Sequence, residues 1–392
     1  MAASAIVIGA GIGGLTAAIA LRQRGIDVDV YERSAVLSDV GAGISLWANA
    51  LKALHQLGLK GPLDALSFTS DEGALRTAAG AVLTSTSARE FTARFGMPVT
   101  VFHRAELLEV LRDAARGISI HLDHECREVA QSGDRVSVTF AGGRQAHADV
   151  VVGADGLRST VRACLGIPGE IRYAGYTAWR GIAPFRTAGL IAGETVGCGQ
   201  RFGLVPIAGD RVYWYATDNV SEGGRDEPDR AKARLAEMFS HWHAPIPALI
   251  EATAAAAILR NDIYDRDPVD RWGLGRVTLL GDAAHPMTPN LGQGGCQAIE
   301  DALVLARCLA EGGSAGASLR RYEAMRIPRT RFIVYASRRI GRAFQIESPI
   351  LCRLRDLAMR MTPAAMSYRS LAAIAGYEEH LDGKIKGRNE RA

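Results

Sequence analysis

Paired cysteines, a dominant charge and a long uninterrupted apolar run are all missing from this 392-residue sequence. Its six cysteines (Cys126, Cys164, Cys198, Cys296, Cys308, Cys352) are dispersed, with no C-x-x-C pair, which argues against a structural zinc site and a disulfide framework. No metal site is expected, and a reducing cytoplasm fits. A formal charge of +4 tolerates anionic ligands but falls short of a nucleic-acid footprint, so no nucleic-acid partner is expected. No stretch reaches the roughly 18 uncharged apolar residues of a membrane span. Ala5 to Leu21 imitates a signal-peptide core but lacks the preceding positive charges and a cleavage-like site.

What is present is the composition of a globular chain, 48% hydrophobic and 22% charged, long enough to favour two domains. Near the start, "IVIGAGIGG" (residues 6–14) follows a short apolar strand at 5–8. Gly9 to Gly14 reads as a tight turn, Leu15 to Arg24 as a helix, and Val28 to Tyr31 as a second strand ending at Glu32. In such a βαβ unit Gly9 permits the turn, Gly11 lets backbone amides approach a pyrophosphate, and Gly14 lets the helix pack close to the strand. Glu32 then stands where a carboxylate accepts hydrogen bonds from a ribose.

Farther along, 103–115 reads as an amphipathic helix, 118–129 as mostly strand, 134–140 as an alternating strand, and 148–162 as a buried strand running into an Asp-Gly turn. From about 170 to 270 the pattern alternates and carries several aromatics, as expected of a sheet with one exposed face. "GRVTLLGDAAH" then returns to an apolar strand, so the second domain interrupts the first. A helix follows at 296–311, and Tyr322 to Arg360 reads as helices whose many arginines mostly lie on a solvated face. The segment 383–392 is expected to be a flexible tail.

The stretch after the late strand, "GDAAHPMTPNLGQGG" (281–295), places an acid, a histidine, two prolines and four glycines in fifteen positions. One dinucleotide fingerprint serves a nicotinamide dehydrogenase, and that reading leaves this second glycine-rich motif without a role. A tightly held flavin dinucleotide needs contacts at both of its ends. "GAGIGG" can hold the adenosine and pyrophosphate, Asp282 can accept from ribityl hydroxyls, and the amides of "GQGG" at a helix start can face the electron-rich edge of the flavin ring.

In this order and spacing, "GAGIGG", "GADGLRSTVR" and "GDAAHPMTPNLGQGG" resemble the single-component FAD-dependent aromatic hydroxylases, the para-hydroxybenzoate and salicylate hydroxylase superfamily. The last motif with "AIEDA" is similar to that of flavoprotein urate hydroxylases and zeaxanthin epoxidases. The resemblance implies an α/β fold: a Rossmann-like FAD-binding domain (1–75, 101–168, 271–312), interrupted by a mixed-sheet substrate domain (hairpin 76–100, then 169–270), with C-terminal helices at 313–382. It also implies that Gly9, Gly11, Ile12, Gly13, Gly14, Glu32 and Arg33 hold the AMP half. Arg104 would reach the ribose or pyrophosphate region, and Cys126 would offer backbone groups to the adenine. Gly43, Asp282, Pro289, Gly292, Gly294 and Gly295 would contact the cofactor on the flavin side. Asp155 belongs to a turn serving both FAD and the nicotinamide. The implied reaction consumes NADH or NADPH and O₂ and transfers oxygen from a flavin C4a-hydroperoxide to a small aromatic or heteroaromatic substrate. Epoxidation of an alkene, or oxidation without oxygen insertion, would use the same cofactor motifs; a W-x-W-x-I-P stretch of the flavin halogenases is absent.

For the substrate, the resemblance pairs Arg201 with Tyr213: the arginine to bind an anionic group, the tyrosine to relay or accept a hydrogen bond. Read from the residues alone, Arg201 is equally a surface strand arginine and Tyr213 a core aromatic. Arg180 stands where the urate enzymes are expected to carry a polar amide, which counts against urate. Trp214, with Trp47 and Trp179, can line an aromatic pocket, with buried packing as the alternative. His285 is expected to be structural, beside the flavin. A monomer or a homodimer is expected.

Overall fold

The computed structural model describes residues 3–37, 43–68, 70–362 and 364–376; the expected tail at 383–392 lies outside the described residues. The chain opens with β1 (Ser4–Ile8), α1 (Ile12–Gln23) and β2 (Asp27–Tyr31). The helix starts three residues earlier than its pattern predicts. Gly13 and Gly14 are helical residues chosen for close approach: a Cβ on Gly14 would lie 1.9 Å from the Gly9 carbonyl oxygen, and one on Gly13 2.8 Å from Leu280. Only Gly9, with φ of 107°, needs glycine's conformational freedom here.

β3 (Ser119–His121), β4 (Val150–Gly153) and β5 (Val277–Leu279) complete a five-stranded parallel sheet in the order β5-β4-β1-β2-β3. The inner strands β1 and β4 are buried almost throughout, which is why they read as unbroken apolar runs. β1 lies between β2 and β4, so the chain's direction of winding reverses there. Ligand crevices open at the carboxyl ends of strands at such a point. The predicted strand at 118–129 is two: β3 joins the parallel sheet, Asp123 turns at φ of 56°, and Cys126–Ser132 pairs with Arg135–Phe140 in a separate three-stranded antiparallel sheet.

The second sheet has seven strands, in the order Leu259–Asp265, Arg172–Pro184, Arg211–Asp218, Gln200–Ile207, Ala192–Val196, Glu72–Thr77, Val82–Ser87. The period-2 alternation divides it into two faces. Trp179, Phe202, Leu204 and Trp214 pack under the helices Pro228–Met238 and Ile246–Ala252. On the opposite face, Ile182, Val205, Ile207, Tyr213 and Tyr215 pack with Val101 of the ribbon formed by Gly43–Leu46 and Thr100–His103.

α2 (Gly294–Ala310) packs along α1, and α3 (Ala315–Phe344) packs along α2. Here an expectation fails. Arg326, Arg329 and Arg355 are buried and Arg331 and Arg338 half-buried, because acidic partners absent from their own sequence neighbourhood meet several of them in space.

Candidate active site

The glycine turn sits against the Asp155 turn: the Ala154 amide donates to the Ile8 carbonyl, and a Cβ on Gly9 would lie 2.4 Å from the Ala154 carbonyl oxygen. By contrast, a Cβ on Gly11 would meet nothing within 4 Å. That is open space at the start of α1, whose N-terminus has no side-chain cap and no acidic residue in its first turn. Glu32 accepts from the amide of Ala10 (2.9 Å) and of Ser34 (3.0 Å), so its carboxylate is fixed at the rim of this space. Arg33 is exposed beside it.

The second glycine motif folds back toward the same region. Gly292 turns at φ of 60°, α2 starts at Gly294, and a Cβ on Gly294 would lie 3.8 Å from Asp282 Oδ1. Asp282 keeps solvent access while protein surrounds it. Burial raises its carboxyl above the ordinary value, with His285 and Arg104 pulling it back. The structure therefore brings Arg104, at the start of the helix Arg104–Ala114, within electrostatic reach of Asp282. Pro289 opens the short turn before Gly292 and is exposed. The ribbon covers the helix start: Cβ atoms on Gly292 and Gly295 would touch Trp47 (3.3 Å) and Ile44 (3.0 Å).

Beneath α2's first turns lies a charge network that sequence reasoning missed. His285 Nε2 contacts Asp301 (2.6 Å), which accepts from Arg326 Nε (2.6 Å) and from the Gly281 amide (3.0 Å). Arg326 also reaches Glu300, which pairs with Arg329 (2.8 Å) and accepts from Asn49. Burial pushes both carboxyls up, but the cations outweigh it and hold Glu300 and Asp301 at about 2. His285 is thus structural, against Trp272. The signal available in the sequence was "IED" on an otherwise apolar helix face: two adjacent acids there require buried cations.

Asp155 also holds its own turn in shape. Its carboxylate accepts from Ser159 Oγ (2.5 Å) and from the amides of Thr160 (2.7 Å) and Val161 (3.1 Å), capping the helix Thr160–Cys164. Burial nevertheless leaves it raised. Arg162, also missed, donates to the carbonyls of Ala283 (3.0 Å) and Ala284 (3.1 Å) and so ties the Asp-Gly motif to the second glycine motif. Burial, with Arg266 nearby, lowers it to about 10. Cys126 is buried, its thiol pushed up to about 12 mainly by burial and then by Cys164 and Asp155.

On the second sheet, Tyr213 lies against Gly43, where a Cβ would fall 2.3 Å from the ring; Gly43 makes room for tyrosine. Burial raises the Tyr213 phenol, and Arg180 hydrogen-bonds it and pulls it back. Arg201 lies four residues along the neighbouring strand from Val205, the register partner of Tyr213, so the expected pair is about 13 Å apart along the sheet. Arg201 instead keeps other company. Its Nη2 donates to Asn290 (2.7 Å), and its Nη1 is 3.7 Å from Glu194. Glu194 accepts from the Tyr215 hydroxyl, and Tyr176 donates to Asn290 (3.1 Å). Arg201 is only 1% exposed, which removes the surface reading, and its Nε and Nη1 are buried without a hydrogen-bond partner. Tyr215 is half-buried and lies over Gly203, where a Cβ would strike its ring at 2.2 Å. Trp214 does not join this face: it stacks on Phe202 and donates to Thr253 (2.8 Å) in the core under the helices. Trp179 lies in that same core, while Trp47 packs on Phe91.

Residues 2–337 match a family described as FAD binding domain. The chain is 44% identical over 359 residues to the aurachin C monooxygenase/isomerase of Stigmatella aurantiaca, covering 91% of this chain and 93% of that one. It is 36% identical over 364 residues to the 3-amino-4-hydroxybenzoate 2-monooxygenase of Streptomyces cremeus, covering 91% of each. Its structure is similar to that of Klebsiella pneumoniae HpxO complexed with FAD and uric acid, with a TM-score of 0.89 and 33% identity over 95% of this chain and 96% of that one.

Proposed function

The chain belongs to the FAD binding domain family and is an FAD-dependent monooxygenase, and we propose that it oxygenates an electron-rich aromatic or heteroaromatic ring bearing an acidic hydroxyl or ring N–H. The residues present fit FAD. Open space at Gly11 before an uncapped helix would receive the pyrophosphate, Glu32 the adenosine ribose, and Asp282 the ribityl hydroxyls. The start of α2, with no acidic residue in its first turn, offers its amides and positive helix end to the flavin ring. Bound there, FAD would supply the redox chemistry: two-electron transfer from NADH or NADPH and activation of O₂, with one oxygen atom for the substrate and the other leaving as water.

The chain's own residues do the rest. Arg201 offers a substrate oxyanion its buried Nε and Nη1, neither of which has a hydrogen-bond partner although Nη1 lies 3.7 Å from Glu194, while its Nη2 holds Asn290 and with it the loop entering α2. Tyr215, donating to Glu194, accepts a hydrogen bond from the substrate's acidic group and passes a proton outward to Glu194, which is partly exposed. That leaves the ring electron-rich. Ile182, Val205, Ile207 and Val101 keep water from this face. The observation that carries the reading is the buried, under-satisfied Arg201 guanidinium: such a group costs about 1–3 kcal/mol per missing bond unless a ligand completes it. The relatives' names point the same way, one to an aminophenol acid and one structural neighbour to uric acid. The charge of +4 and six free cysteines support a cytoplasmic enzyme without a nucleic-acid partner, monomer or homodimer, and no helix among the described residues is long and apolar enough to cross a membrane.

The test is NAD(P)H and O₂ consumption by the FAD-loaded protein against phenols, aminophenols, purines and hydroxyquinolines. Arg201→Ala should keep FAD and lose about 1.5–3 kcal/mol in kcat/KM, roughly ten- to a hundredfold. Unchanged kinetics would remove Arg201 from the site.

A further inference from the structure

The helix Pro349–Met361 is amphipathic the wrong way round. The side facing the protein carries Cys352 and Arg355, both buried, with Asp356 paired to Arg355. The side facing solvent carries Ile350, Leu351, Leu354, Leu357 and Met361, each between 50% and 73% exposed. Positions 350, 354, 357 and 361 recur at the helical period and form one stripe, with Leu351 at its edge. Five of the eleven large apolar residues exposed among the described residues therefore sit on one thirteen-residue helix. A soluble surface scatters such residues singly; a contiguous stripe marks a contact.

The charges beside the stripe decide what kind of contact. Arg353 and Arg360, seven residues apart, lie along one flank, exposed, and make no ion pair among the described residues. At the end of α3, one short turn earlier in the chain, Arg339 and Arg342 are likewise exposed and unpaired. The helix has no carboxylate to receive a second copy's Arg353 and Arg360, because Asp356 is committed to Arg355. An apolar stripe with a cationic flank, and no acid of its own helix free to answer it, is complementary to a surface that is apolar beneath and anionic above. We propose that this helix docks the enzyme, lying in plane, on an anionic phospholipid bilayer, burying Ile350, Leu354, Leu357 and Met361 among the acyl chains and setting Arg353 and Arg360 against the headgroup phosphates. The enzyme would then work at a membrane face without spanning it.

The test is co-sedimentation of the FAD-loaded full chain with vesicles of phosphatidylcholine and phosphatidylglycerol in equal parts, against vesicles of phosphatidylcholine alone. The expected result is binding to the anionic vesicles that weakens with added salt. The variant L351S/L354S/L357S, altered only at exposed positions, should abolish it. The variant R353Q/R360Q should weaken it about twenty-five-fold, at about fivefold per arginine. FAD content and circular dichroism check that both variants fold. Wild-type protein that stays in the supernatant with anionic vesicles would overturn the proposal. So would a concentration-dependent dimer, seen by light scattering, that the leucine variant abolishes, since the stripe would then be the interface of a second copy. Neither result bears on whether the cleft hydroxylates a ring, which NAD(P)H consumption in the absence of vesicles reads separately.

Discussion

Arg326 is the most consequential single side chain to remove. Its guanidinium, 1% exposed, donates to Asp301, Glu300 and both the side chain and carbonyl of Gln297, directly under the start of α2. Glu300 is held at about 2 from an ordinary 4.5, and Asp301 at about 2 from 3.8, which correspond to about 3 and about 2 kcal/mol of folding stability at neutral pH. Arg326 shares the first with Arg329 and the second with His285, so its own part is about half. Deleting it also strands buried negative charge, and for that reason Arg326→Met should cost about 3–5 kcal/mol at pH 7. The pH dependence follows from the sign. Carboxyls depressed in the folded state stabilise it fully above their unfolded values, near 4, and lose that contribution as pH falls toward 2. Wild type should therefore lose stability between about pH 5 and pH 2. The variant, with both carboxyls returned toward ordinary values, should lose less over that window. Urea unfolding followed by flavin release and circular dichroism measures both quantities. A variant as stable as wild type at pH 7, or one with an unchanged pH slope, would refute the network's role.

Two further outcomes are expected. Gly14→Ala puts a methyl group 1.9 Å from the Gly9 carbonyl and must move α1 off the turn, so the purified protein should carry little FAD; full flavin absorbance would contradict that packing argument. Glu194→Gln removes the carboxylate that Tyr215 donates to, and should lower substrate-stimulated NAD(P)H oxidation while shifting its pH profile toward the substrate's own ionisation; an identical profile would exclude a proton route through Glu194.

What could be read in the sequence was whatever depends on backbone. Gly9, Gly11 and Gly14 are where a phosphate cradle needs them, and the apolar runs of β1, β4 and β5 announce a doubly covered parallel sheet whichever residues lie between. Side-chain partners were legible only where they are local. Arg201 and Tyr213 fall on adjacent strands and were expected to act together, yet register is set by the turn at 208–210 and places them four residues apart. Tyr215, one alternation further, comes nearer to Arg201, and its acid, Glu194, lies on another strand that no spacing rule connects to it. Trp214 was read as pocket lining or as buried packing, and its place next to Tyr213 decides between them. Adjacency in a strand is the reason it points the other way.

The same logic explains why the arginines of the C-terminal helices were misread. On a helix, charge density alone does not distinguish a solvated face from one that answers buried acids elsewhere. Arg326 and Arg329, i and i+3, are one answering face, matched by Glu300 and Asp301 on α2. Arg201 performs a comparable task from the second domain, since its hold on Asn290 fixes the loop that starts α2. α2 is therefore pinned from below by Arg326 and from the seven-stranded sheet by Arg201 through Asn290. If a substrate oxyanion binds Arg201 as proposed, it would act on the same residue that holds Asn290, and substrate occupancy would be coupled to the geometry of the loop entering α2.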